Sequence, residues 1–95
     1  MNLKELFEKH DGEYGHFERV QNKLSDKPDL HAFLLLNKTC QSTKGDLITA
    51  AEHDKIWLGT LIASFETNAT EEIVVELIRC GVMFDDQFQS FSMFV

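Results

Sequence analysis

The sequence has one proline, two cysteines and five scattered glycines, and its longest apolar run is the five residues Ala32-Phe33-Leu34-Leu35-Leu36. Each shortage excludes something. A run of five falls far short of the ~20 apolar residues that a membrane-spanning helix needs. Met1-Asn2-Leu3-Lys4-Glu5 lacks the basic region and apolar stretch of a secretory signal. A reducing cytoplasm is therefore the expected setting, with Cys40 and Cys80 as free thiols; they match no CxxC pattern. The glycines stand at 12, 15, 45, 59 and 81, so there is no Gly-rich phosphate loop. No repeat, low-complexity tract or interdomain linker interrupts the chain.

Basic residues are also scarce, and unevenly so. Residues 1–60 carry eight Lys/Arg against ten Asp/Glu. Residues 61–95 carry only Arg79 against Glu66, Glu71, Glu72, Glu76, Asp85 and Asp86. With a net charge of −7, the chain is repelled by phosphate backbones, which excludes direct nucleic-acid binding as an expectation. A basic protein partner fits the charge.

What is present is ordinary globular composition: 43% apolar residues in 95, including eight Phe, one Trp and one Tyr. One domain over residues 1–95 is expected. Leu3, Leu6, Phe7 and His10 form one helical face behind an Asn2 cap. Tyr14, Phe17, Val20 and Leu24 form a second stripe, broken from the first near Gly12. Ser25-Asp26-Lys27-Pro28-Asp29 opens a third helix, with Asp26 as a cap and Pro28 in the first turn. Its apolar residues lie on nearly every side, which predicts a central, buried helix. Asn37 to Gly45 reads as a loop.

Leu47–Ala51 and Lys55–Leu58 predict a hairpin around Glu52-His53-Asp54. A short helix follows from Gly59-Thr60, carrying Leu61, Ile62 and Phe65. Thr70 caps the next helix, whose stripe is Ile73, Val74, Leu77 and Ile78 and whose C-terminal glycine is Gly81. Val82–Phe84 and Phe88–Val95 make a second hairpin. The class is α+β: N-terminal helices, then a small antiparallel sheet of two hairpins separated by two helices. The expected core is Leu6, Phe17, Leu30, Phe33, Leu34, Trp57, Leu61, Ile73, Leu77 and Ile78.

Three stretches carry a resemblance. They are Ser25–Phe33, Ala50–Leu58, and Leu77–Val82 with the closing Ser92-Met93-Phe94-Val95. They resemble a group of small open reading frames common in tailed bacteriophage and prophage genomes. The resemblance covers about a third of the chain. It implies a genomic setting and a bacterial cytoplasm rather than a chemistry. It also implies an accessory protein that binds a host or phage component.

Several residues stand out as candidate sites. Glu52, His53 and Asp54 are the densest ionisable cluster, suited to acid–base chemistry in a small enzyme or ligand-binding protein. Strand alternation keeps three consecutive side chains from converging, so a polar hairpin turn is the simpler reading. His10 and His16 with Glu13 match no metal-ligand spacing, and no metal or cofactor is expected. His31 fits a hydrogen-bonded core histidine better than a ligand. Cys40 has no nameable base or oxyanion hole, and Cys80 fits packing beside Gly81. No catalytic constellation results, so the chain is expected to be non-enzymatic.

Two features fit an interaction protein. Glu71, Glu72 and Glu76 could present carboxylates to a basic partner, or mimic the phosphates of a nucleic acid. Phe88, Phe91 and Phe94, with Phe84, exceed what one buried sheet face needs, and surplus aromatics favour interfaces. The last strand, closing the sequence, is expected at a sheet edge, with Phe91, Met93 and Val95 inward and Phe94 outward. Such an edge would support a homodimer through the C-terminal strand.

Overall fold

The computed structural model describes residues 1–40 and 45–95. Helices α1 (Leu3–Lys9), α2 (Pro28–Thr39), α3 (Ile62–Asn68) and α4 (Glu71–Arg79) accompany strands β1 (Ile48–Glu52), β2 (Lys55–Leu58), β3 (Met83–Asp85) and β4 (Ser90–Phe94). The strands form one antiparallel sheet in the order β1-β2-β4-β3. The fold is α+β, with two hairpins separated by two helices. The expected loop from Asn37 begins later, since α2 runs to Thr39; residues 41–44 of that loop lie outside the described residues.

Local chemistry sets the element ends. The Asn2 side chain accepts a hydrogen bond from the Glu5 N–H at 3.1 Å, and Thr70 Oγ1 accepts one from the Ile73 N–H at 3.3 Å. α4 ends in a Schellman turn: the Val82 N–H donates to Leu77 O and the Gly81 N–H to Ile78 O, both at 3.0 Å. That turn needs the φ of +91° that Gly81 adopts. Pro28 opens α2 as expected, but Asp26 does not cap it; Lys27 holds the N-cap position without a side-chain bond.

The second stripe is not a helix. Its region holds two short 3₁₀ turns, Asp11–Glu13 and Phe17–Arg19, and then irregular chain up to Pro28. Gly15 at φ +78° and Asn22 at φ +44° break the helical path. Side chains fasten this segment instead. Arg79 Nε and Arg19 Nη1 each donate to Glu13 Oε2 at 3.0 Å, and the Leu24 N–H donates to His31 Nδ1 at 3.0 Å.

The helices cover one face of the sheet. Ala32, Leu35 and Leu36 of α2, Phe65 of α3, and Val74, Leu77 and Ile78 of α4 meet Leu58, Phe91 and Met93 in one buried cluster. Phe91, fully buried, is the hub of its aromatic part. Its ring centroid lies 4.9 Å from Phe65, 5.9 Å from Phe7 and 6.1 Å from Phe84.

Two expectations fail here for physical reasons. α2 is not buried all round: it sinks His31, Ala32, Leu35 and Leu36, while Leu30 and Leu34 stay 43% and 40% exposed. A two-layer fold covers a helix on one side only, and Leu61 is exposed too. Of the expected core, Leu77 and Ile78 are fully buried, and Leu6, Phe17, Phe33 and Ile73 pack against the cluster half-buried. Likewise β4 is not an edge strand. It pairs with β2 from Lys55↔Phe94 to Leu58↔Phe91 and with β3 from Met83↔Ser92 to Asp85↔Ser90. The edges are β1 and β3, and Val95 is exposed rather than inward.

Candidate interaction surface

The ionisable cluster resolves into a turn. Glu52 and Lys55 face each other across the β1–β2 ladder, and His53-Asp54 is the two-residue connection between them. His53 sits at φ +56°, its side chain 87% exposed and its Nε2 3.8 Å from Glu52 Oε1. The His53 and Glu52 side chains are exposed, so they lack the desolvated setting that acid–base catalysis uses.

The other histidines each find a separate partner. His10 Nε2 lies 2.7 Å from Glu71 Oε2, tying the end of α1 to the start of α4. His16 Nδ1 lies 2.8 Å from Glu18 Oε1, while Glu13 is taken by the two arginines. His31 is buried, with Nδ1 accepting from Leu24, Nε2 3.7 Å from Glu76 Oε2, and Phe17 stacked edge-on at 5.8 Å. Among the described residues no three His, Cys, Asp or Glu side chains are grouped to hold a metal ion.

Neither thiol is poised to react. Burial pushes Cys80 up to about 12, and the nearby Glu76 carboxylate adds to the effect. Burial also raises Cys40, offset in part by the Ser64 hydroxyl. Both remain protonated at neutral pH, the inert form.

The acidic face of α4 is partly spoken for. Glu71 accepts from Lys9 at 3.2 Å as well as pairing with His10, and these partners hold its carboxyl below the usual range, His10 foremost. Glu76 Oε2 lies 3.7 Å from the buried His31 ring, and Glu72 has no described partner.

The sheet has a second face. Alternation along the strands turns Leu58, Phe91, Phe84 and Met93 toward the helices and places Trp57, Ser92, Phe94 and Met83 opposite. At its centre Ser92 is buried beneath its larger neighbours, and Trp57 and Met83 are half-buried. Phe88, in the β3–β4 turn, is 63% exposed, and Phe94 is 57% exposed. Phe91, by contrast, is fully buried, so it belongs to the core and not to a partner-binding surface; its inward position in β4 decides this.

Asp85 organises this face. Its Oδ1 accepts from the Gln87 N–H at 3.0 Å and the Phe88 N–H at 3.2 Å, and its Oδ2 accepts from Trp57 Nε1 at 3.3 Å. One carboxylate thus shapes the turn and fixes the indole, bringing Phe88 edge-on to Trp57 at 6.5 Å. Burial alone would raise the Asp85 pKa. The bonds from Phe88, Trp57 and Gln87 and the charge of Lys55 outweigh it and hold the carboxyl below its ordinary value. Lys55 Nζ lies 5.1 Å from the Trp57 ring centroid and 6.0 Å from that of Phe94, a cation over two aromatic rings.

Two depressions flank this face. One of about 370 Å³ is lined by Thr49, Ala50, Glu52, Trp57, Phe88 and Ser90. A larger one of about 670 Å³ runs between α1 and β3, with Phe7, Tyr14, Met83, Phe84 and Phe94 among its walls. The surplus of phenylalanines signalled Phe88 and Phe94. Trp57, expected in the core, lies half-buried on the opposite face of the sheet; a lone tryptophan in a short apolar strand looks the same on either face. No protein-family model, curated protein or solved structure matches this chain.

Proposed function

We propose that this chain is a non-enzymatic accessory protein that binds a protein partner through the uncovered face of its sheet. The observation that carries this reading is the exposure of Phe88 and Phe94, 63% and 57%, beside the half-buried Trp57 on the sheet face opposite the core. Aromatic side chains are the typical anchors of protein interfaces, and leaving Phe88 and Phe94 in water costs the hydrophobic free energy that a partner recovers. The exposed hairpin turn at His53 and the protonated thiols supply no catalytic apparatus in support of an enzyme. The resemblance to phage and prophage reading frames, carried partly by Ile56-Trp57-Leu58 and Met93-Phe94, supports a bacterial cytoplasm as the setting and a host or phage protein as the partner. Affinity capture from bacterial lysate, read by mass spectrometry, tests the reading. The wild type retains a specific partner, and Phe88→Ser/Phe94→Ser loses it while staying folded. Equal recovery by both would refute the assignment of this face.

A further inference from the structure

We propose that the partner binds as an extended segment added antiparallel to the β1 edge, and that it carries a large apolar and a basic side chain two positions apart. The inference rests on the functional reading above and names the partner's chemistry. β1 is exposed along its whole length, and among the described residues no strand pairs with its outer edge. In an antiparallel ladder every second residue turns its N–H and C=O away from the paired strand. With Glu52 and Lys55 closing the two-residue turn, Ala51 is the outward residue. Those groups are ready for a further strand.

The side chains specify what that strand brings. Ala50 stands beside Trp57 in register, and its small size leaves the 370 Å³ depression bounded by Trp57 and Phe88. An added strand places one side chain next to Ala50 on this face, where a large apolar group fills the space. Two positions along, the next side chain on the same face meets Glu52. Lys55, the cross-strand neighbour of Glu52, lies instead over Trp57 and Phe94. Among the described residues Glu52 consequently has no Lys or Arg ion-pair partner, only the His53 ring at 3.8 Å. A lysine or arginine on the incoming strand supplies the missing charge.

A second copy of this chain fits less well. A two-fold axis at Ala50 sets alanine against alanine, and one at Ala51 sets Glu52 beside the depression. Neither fills it, and both bring together chains of net charge −7.

The test uses the full chain and a displayed library of random dodecapeptides, with selected peptides resynthesised for anisotropy titration. The expected selection is a basic and a large apolar residue two positions apart. Ala51→Pro, which removes an outward N–H without touching the ladder, should weaken the selected peptides at least tenfold, as should Ala50→Leu, which fills the depression. Glu52→Lys should weaken them about fivefold, the size expected for an exposed charge pair, and shift a repeated selection toward acidic residues. Leu30→Ser, on the far helix, should change nothing. Should Ala51→Pro fail to fold, Ala50→Leu decides. Selections without charge preference, peptides that bind the edge variants as tightly as the wild type, or a wild-type dimer that Ala51→Pro splits would each overturn the inference. If lysate capture is lost in Phe88→Ser/Phe94→Ser but kept in both edge variants, the sheet-face function stands and the strand-addition mode falls.

Discussion

Single residues decide whether the aromatic face exists as a surface. Asp85 holds the β3–β4 turn and the Trp57 indole with the same carboxylate, and its pKa lies below the ordinary 3.8. A carboxyl with a lowered folded-state pKa contributes stability that is complete above its unfolded value and is lost as pH falls through the folded value. Emission from Trp57, the only tryptophan, is therefore expected to change in acid below about pH 4. Asp85→Asn should lower stability at neutral pH and remove this part of the acid dependence; identical acid titrations would contradict it. At His53 the backbone, not the imidazole, is the costly feature. A β-carbon in the left-handed region costs roughly 1–2 kcal/mol, so His53→Gly should raise stability by about 0.5–1 kcal/mol in urea unfolding after glycine's own chain entropy is charged. The sequence did show this turn, because two ionisable residues between short β-rich runs leave few other conformations. It did not show Asp85, whose importance comes from a tryptophan 28 positions away.

Among the elements, α4 was the most legible and α2 the least instructive. α4 has a capping threonine, an acidic first turn, an amphipathic stripe and a terminal glycine, and all four signals agree. In α2, Leu30, Phe33, Leu34, Leu35 and Leu36 give no contrast from which to read a buried face, and the packing of α4 and Phe17 around His31 selects it instead. Leu77→Ala should thus cost ~2–5 kcal/mol, since its side chain is fully enclosed. Leu34→Ala should stay within about 0.5 kcal/mol, as exposed substitutions do. Equal shifts in the urea midpoint for the two variants would invert the assignment of the buried face. The position of β4 was illegible for a different reason. Strand order depends on which edges the β1–β2 hairpin and β3 choose, and alternation within Ser90–Phe94 is the same in the middle of a sheet as at its edge.

At the scale of the whole molecule, the described helices build the core on one side of a four-stranded sheet, and the exposed Phe88 and Phe94 on the other side are what a function must explain. The surplus of aromatics was visible in composition; which of them face outward was not, because burial is a property of the assembled layers. The overall charge of −7 predicts no shift of duplex DNA at physiological salt and micromolar protein; a shift with a steep salt dependence would contradict the protein-partner reading. The most direct measurement is site-specific photo-crosslinking in bacterial cells, with a photoreactive phenylalanine analogue at position 88, 94 or 30. Partner adducts at Phe88 and Phe94 and none at Leu30 are the predicted result. Adducts at Leu30 alone would place the interface on the helical side and contradict the assignment of the open sheet face.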